Sequence, residues 1–335
     1  MDDLEREILD NRARLIAAEA LLDRKVRDFV KQLAARWVAE IKREARSSSA
    51  STVAELDRRL VALRRTLDAI TESQFQALQA SLRTTAKQVF VSETYRHAAI
   101  LDTAVVSARG SVGAVFGGVS PKALASAFAQ NPQTLFGSAL DKVSREVVEQ
   151  MRKDIATAIA DGMRVDQLAR KWTNIKGAPR IAEYRAAGAA RTAIMEASNN
   201  AALAVYRDSG IVEAVQWNAT FDTRTCMRCA SLHGRIFRLD QSPGMPNHIS
   251  CRCTWVPVTV KGGRFVKGEY RLPTKAAHDR ASKKFDAYLR KQGARHQRDF
   301  FPSEKKYKLW KSRQKTIAEM VNGLGGSILP DSMLP

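Results

Sequence analysis

All four cysteines of this 335-residue chain fall between positions 226 and 253, in the stretch CMRCASLHGRIFRLDQSPGMPNHISCRC, together with two of its five histidines. A chain that gathers every thiol into one short stretch is constrained there to bring them together. Tetrahedral zinc needs four nitrogen or sulfur donors, usually as two close pairs from two loops. Cys226 and Cys229 form a C-x-x-C knuckle, and His248 with Cys251 supplies an H-x-x-C pair opposite. The best donor set for a structural zinc ion is therefore Cys226, Cys229, His248 and Cys251, with His233 or Cys253 as a substitute member. The spacing differs from the commonest ribbon, which carries C-x-x-C at both ends. Two alternatives stay open. The thiols can be disulfide partners in a particle that matures outside a cell, or small buried hydrophobes. Each version makes the stretch architectural, because a small β unit with little core needs a cross-link. A catalytic metal would need an open coordination position and a nearby base. Asp222 and His233 are the only candidates, and FDTRTC fits Asx-turn chemistry equally well.

The rest of the chain is mostly helical in pattern, and the expected class is α+β. Residues 3–46 carry Leu15, Leu22, Val26, Phe29, Leu33, Trp37 and Ile41 at three- and four-residue steps, with no Gly or Pro between them. SSSAST at 47–52 breaks this pattern, and Thr52 with Glu55 has capping-box spacing. Val53, Leu56, Leu60, Leu63, Leu67 and Ile70 then form a heptad seam, extended by Leu78 and Leu82. Two long helices over 1–108 are expected to pair as an antiparallel hairpin, or to associate with another protein or a second copy. RGSVGAVFGGVSP (109–121) reads as a hinge. A helical body over 109–210 follows, with helices at about 132–160 and 164–172 and a long one from Pro179 to Gly210. Strand-like IVEAVQWNAT, GRIFRL and CTWVPVTV place a Cys/His-stapled β subdomain at 211–260, with RFVKGEYRL as an added hairpin. A basic extension occupies 261–335, ending in an expected exposed tail, GLGGSILPDSMLP.

Charge concentrates in that extension. Lys261 to Lys315 holds 18 Lys and Arg against 5 Asp and Glu, within a chain of net charge +20. Such density meets phosphate, in nucleic acid or at an anionic surface, or else serves only as a solvated face. The candidate phosphate contacts are Lys261, Arg264, Lys267, Arg271, Lys283, Lys284, Arg290, Lys291, Lys305, Lys306, Lys308 and Lys311. Interleaved aromatics (Phe265, Tyr270, Phe285, Tyr288, Tyr307, Trp310) can stack on bases or form apolar helix faces. No run of eighteen apolar residues appears, so no membrane partner is expected. MDDLEREILD is acidic where a secretory leader would be basic and then apolar, which points to a reducing cytoplasm. The chain shows no P-loop, no G-x-S-x-G and no dinucleotide fingerprint.

The ordered set Trp217, Asp222, Arg224, Thr225, Cys226, Cys229, Gly234, Pro246, His248, Cys251, Arg252 and Cys253 resembles the phage head morphogenesis, or Mu F-like minor head protein, family. Arg191, Thr192 and Asn200 in ARTAIMEASNNAALAVYRDSGI resemble the family's upstream helix, so the likeness spans about 120–258. The resemblance implies a non-enzymatic component inside the head of a tailed phage, present in the host cytoplasm during assembly. It implies portal protein and phage DNA as partners, with scaffold or major capsid protein as further ones, and a role in assembly, packaging or ejection. The competing reading is a zinc-dependent nuclease or toxin-like effector acting through Asp222 and His233.

Overall fold

The computed structural model describes residues 3–46, 53–109, 134–161, 163–209, 212–258, 275–322 and 327–335. Its helices are α1 (Asp3–Ala17), α2 (Glu19–Arg46), α3 (Val53–Arg109), α4 (Thr134–Ala160), α5 (Val165–Thr173), α6 (Ala178–Asp208), α7 (Met227–Leu232), α8 (Lys275–Arg290), α9 (Ala294–Phe300) and α10 (Glu304–Lys311). Three strands, β1 (Ala214–Asn218), β2 (Ile236–Arg238) and β3 (Thr254–Val258), form an antiparallel sheet in the order β2-β1-β3. This is the expected α+β class. The capping box at Thr52, the hinge expected at 109–121 beyond Arg109, and the hairpin at 264–272 lie outside the described residues.

Two compact units divide the chain by packing rather than by consecutive segments: Ala17–Lys87 with Gln133–Ile194, and Met1–Ile16 with Gln88–Pro132 and Met195–Pro335. In the first, α2 and the start of α3 run antiparallel, because Glu44 pairs with Arg59, Trp37 with Thr71 and Phe29 with Phe75. The hairpin expected over 1–108 is here a pairing of α2 with the start of α3 alone, and the helices differ from expectation in two ways. The helix expected over 3–46 is interrupted at Ala18, whose carbonyl accepts from Leu21 N–H at 3.1 Å in a turn. The heptad helix continues for 57 residues as α3, since nothing before Gly110 terminates it.

Asp154 organises the other end of this unit. Its buried carboxylate accepts from Trp172 Nε1 (2.9 Å), the Ala178 amide (2.9 Å) and Lys171 Nζ (2.8 Å), joining α4, α5 and the first turn of α6. Trp172 in turn packs edge-on to Trp37, with ring centroids 5.1 Å apart. Burial alone would raise the Asp154 carboxyl, but these donors outweigh it and hold it below its ordinary value. Gly177 sits in the left-handed region (φ +69°), and a Cβ there would lie 2.1 Å from Asp154 Oδ2. Gly177→Ala is therefore expected to cost about 2–4 kcal/mol, from the left-handed backbone and from displacing a buried carboxylate. Chemical denaturation checks this, and a loss below about 0.5 kcal/mol, the scale of an ordinary surface substitution, would show the carboxylate relaxing freely.

In the second unit the sheet's inner face packs on helices. Trp217 and Trp255 are cross-strand partners, fully buried and edge-to-face at 5.3 Å, against Leu101 of α3 and Ala202, Val205 and Tyr206 of α6. Beside them, buried Glu93 joins α1, α3 and α6 through Asn11, Arg14 and Ser198. Buried His97 accepts from Tyr206 O–H at Nδ1 (3.3 Å). Its desolvation, with the nearby Arg96 charge, lowers its pKa from 6.5 to about 3. The folded state thus binds fewer protons than the unfolded one between those values, and stability falls as pH drops below about 6.5. From pH 6.5 to pH 5 the loss is about 1.6 kcal/mol, since the slope reaches its full 1.36 kcal/mol per pH unit only well below 6.5. His97→Gln should flatten the melting-temperature profile in that window, and an unchanged profile would assign the acid sensitivity elsewhere.

The C-terminal residues depart from the expected tail. Leu334 is buried, Ile328 and Leu329 pack on the same cluster as Trp310, and Val321 bridges Ile328. Ser303 donates to Asp331 Oδ1 at 2.9 Å, and Lys305 Nζ donates to the carbonyls of Asp331 and Leu334. The reading from composition fails because three apolar residues among Gly, Pro and Ser find a preformed aromatic surface.

Candidate metal centre and basic surface

Cys226 and Cys229 sit at the start of α7. Cys226 takes the N-cap position, its carbonyl accepting from Ala230 N–H at 2.9 Å, so the two sulfurs stand one helical turn apart on one side. Cys251 and Cys253 immediately precede β3, and His248 lies in the loop before them, its carbonyl accepting from Cys251 N–H at 3.1 Å. The sheet carries the two halves together: β1 pairs with both β2 and β3, and Gly234 N–H donates to the Trp217 carbonyl at 2.8 Å. Gly234 does so in the left-handed region (φ 76°), which accounts for glycine after the knuckle.

The donors converge. His248 Nε2 lies 3.2 Å from both Cys226 Sγ and Cys229 Sγ, and Cys229 Sγ lies 3.7 Å from Cys251 Sγ. All four cysteines are free thiols. Zinc–sulfur bonds of about 2.3 Å set a tetrahedral S···S edge of about 3.8 Å, and zinc–nitrogen bonds an S···N edge of about 3.6 Å. The observed separations are close to both. His248 Nδ1–H donates to the Ile249 carbonyl at 2.8 Å, which turns Nε2 toward the sulfurs. A cavity of about 10 Å³ lies among these groups, room for one small ion.

Five donors surround it, in two overlapping triads that share Cys229: Cys226, Cys229 and His248, and Cys229, Cys251 and Cys253. The four expected donors are divided between the two triads and do not form a single set of four, and Cys253 is a fifth. Hydrogen bonding from Cys229 and the nearby His248 lower the Cys226 thiol to about 4, against burial. Burial would lower His248, but the Cys226 and Cys251 sulfurs outweigh it and raise it to about 10. Cys229 and Cys253 go the other way, raised by their sulfur neighbours and by burial. Without an ion the cluster therefore sets a protonated His248 beside the Cys226 and Cys251 thiolates while Cys229 and Cys253 keep their protons, and a divalent cation would displace those protons.

Asp222 and His233 are occupied elsewhere. Asp222 accepts from the Arg224 amide (2.9 Å) in an Asx turn and is clamped by both terminal nitrogens of buried Arg252, at 2.6 and 2.8 Å. This ion pair ties the loop before the knuckle to the C-R-C segment, and it accounts for both residues in the motif. His233 is buried, accepts from the Ala219 amide at Nδ1 (3.3 Å) and packs edge-on to Phe221. Desolvation lowers its pKa to about 4, with Lys284 and Arg12 contributing. Neither group lines the cavity among the sulfurs, and His233 is no part of either donor triad.

Sequence reasoning passed over Asn199. Its side chain donates to the Cys253 carbonyl (3.1 Å) and accepts from the Trp255 amide (3.2 Å), holding the start of β3 on α6. The signal was an Asn-Asn pair inside an alanine-rich helix, and the inner member is the one that bonds.

Residues 149–256 match the family described as Phage Mu protein F like protein. Over this stretch the chain is similar to the Mu F-like proteins. The match covers roughly a third of the chain and contains every donor of the Cys/His centre. No curated protein and no solved structure matches the chain. No helix among the described residues is long and apolar enough to cross a membrane.

The basic residues lie beyond the matched stretch. Lys261, Arg264, Lys267 and Arg271 fall outside the described residues, as do Phe265 and Tyr270. Lys283, Lys284, Lys291 and Lys308 are exposed. Lys311 is exposed too but donates to Gln297 Oε1 at 2.7 Å. Three others serve the fold. Lys306 is buried and paired with Asp331, Lys305 holds C-terminal carbonyls, and Arg290 lies 4.3 Å over the Trp310 ring while donating to its carbonyl. Phe285, Tyr307 and Trp310 are buried, which corrects any reading of them as base-stacking platforms.

Proposed function

We propose that this protein is a non-enzymatic minor head component of a tailed phage, associated with portal and DNA and acting in assembly, packaging or ejection. The observation that carries the reading is the family match over the segment that builds the five-donor centre. In this reading Cys226, Cys229 and His248, with Cys251 or Cys253, hold a structural zinc ion. The ion supplies cross-linking and no chemistry. The commitment of Asp222 and His233 to internal contacts supports a structural role over hydrolysis.

The exposed cations of the C-terminal module are proposed to neutralise phosphates of packaged DNA without reading sequence. Each released counterion contributes about 0.9 to the slope of log affinity against log salt. Substituting Lys283, Lys284, Lys291 and Lys308 with Gln is expected to flatten that slope by about 3 to 4 for duplex DNA. An unchanged slope would remove DNA from the reading and leave the head-protein assignment to be tested by locating the chain in purified particles.

A further inference from the structure

The short helix α7 has two working faces. Cys229 and Leu232, three residues apart, belong to the core that includes Trp217, Trp255, Cys251 and Cys253. Met227 and Ala230, also three apart, belong to a different core, built from Phe285, Leu289, Trp310, Met320 and Val321 of the C-terminal module. Met227 and Ala230 are each about 1 % exposed, so this second contact is fully dry. Phe221, in the loop leading to Cys226, extends it, with ring centroids 5.1 Å from Phe285 and 5.2 Å from Tyr288. The same loop is clamped to the C-R-C segment by Asp222 and Arg252.

We infer that the outer face of α7, with Phe221 beside it, seats the C-terminal module, so that the Cys/His centre sets where that module's exposed cations stand. Met227 is then a positioning residue for a surface it does not itself join. The family match ends at residue 256, whereas the docked helices begin at Lys275, so the seat joins the matched stretch to a part of the chain outside it. The geometry gives the reason. Cys226 is the N-cap of α7 and Cys229 its third residue, and Met227 and Ala230 interleave with them, so the donors that hold the ion also fix the angle of the seat. Lys283, Lys284 and Lys291 lie on or just beyond α8, the helix whose Phe285 and Leu289 rest in the same apolar core as Met227 and Ala230.

The DNA part of this inference rests on the proposed function, but the docking part does not. Amide hydrogen exchange on the full chain loaded with Zn²⁺ tests the latter. Stripping the ion with a chelator is expected to raise exchange in α7 and in α8 through α10 together, by at least tenfold. Retained protection in α8 through α10 while α7 loses its own would overturn the inference. Met227→Asp is expected to raise exchange in α8 through α10 while leaving the β1–β3 amides protected and the zinc in place. It should also weaken duplex DNA binding about tenfold and reduce its salt slope, and Met227→Leu should restore both. Wild-type protection of 285–311 in Met227→Asp would refute the seat. If that variant loses zinc, the chelation result, which changes no residue, decides. A wild-type chain that binds no duplex DNA would fail the proposed function alone, and the exchange data would still judge the docking.

Discussion

Cys229→Ser is expected to empty the metal centre and to lower the melting temperature by roughly 10 °C or more, the effect of losing about 3–5 kcal/mol in a unit of this size. Cys229 is chosen because it belongs to both donor triads, contacting His248 at 3.2 Å and Cys251 at 3.7 Å. Serine keeps the volume but gives up the thiolate, and a structural zinc site contributes folding energy directly. Metal content should fall from about one zinc per chain to under a tenth. Cys253→Ser separates the fourth ligand from the fifth donor: if Cys251 completes the tetrahedron, this variant keeps its zinc. A chelator should destabilise the wild type and leave Cys229→Ser unchanged, because the two perturbations share one cause. Wild-type chain without zinc, together with a Cys229→Ser melting point unchanged within a degree or two, would reduce the cluster to buried thiols.

Much of this centre was legible because its determinants are local. C-x-x-C across one helical turn and H-x-x-C before a strand are spacings that geometry converts directly into proximity. The helices were legible for the same reason, since Trp37 and Thr71 meet only if the apolar stripes of α2 and α3 run antiparallel. What escaped depends on pairs remote in sequence. Asp222 and Arg252 are 30 residues apart and Asn199 and Cys253 are 54 apart, and no periodicity marks such partners. Charge counting likewise could not separate Lys306, buried on Asp331, from exposed Lys308 two positions later. The two lie on different faces of α10, and only the docked C-terminal turn distinguishes them. The fifth donor was foreseen as an alternate and is better described as a neighbour of the other four, since the C-R-C spacing at the start of a strand brings both sulfurs within reach.

Glu93→Ala is the second large effect, expected to cost about 3 kcal/mol. The Glu93 carboxylate is 1 % exposed and accepts from Asn11 Nδ2 (2.5 Å), Arg14 (2.8 Å) and Ser198 Oγ (3.1 Å), which come from α1 and α6. Truncation leaves the Asn11 amide and the Ser198 hydroxyl without this acceptor, at about 1–3 kcal/mol for each group that water cannot reach. Arg14 matters less: its side chain is half exposed, so its charge regains solvent when the carboxylate goes, and Arg14→Ala should cost under about 1 kcal/mol. Glu93→Gln should fall between them, because one amide oxygen still accepts while the new NH₂ faces the Asn11 and Ser198 donors. The ordering Ala, then Gln, then Arg14→Ala is the discriminating result, read from denaturant midpoints at constant slope. Since α1 reaches the Glu93 site through Asn11 and Arg14 and the sheet through Arg12, which bonds the Asn218 carbonyl and side chain, Glu93→Ala should also speed amide exchange in α1 before it affects β1. Equal acceleration in α1 and β1 would mean that the carboxylate holds the whole unit, and α1 would then be part of the core instead of a helix latched onto it.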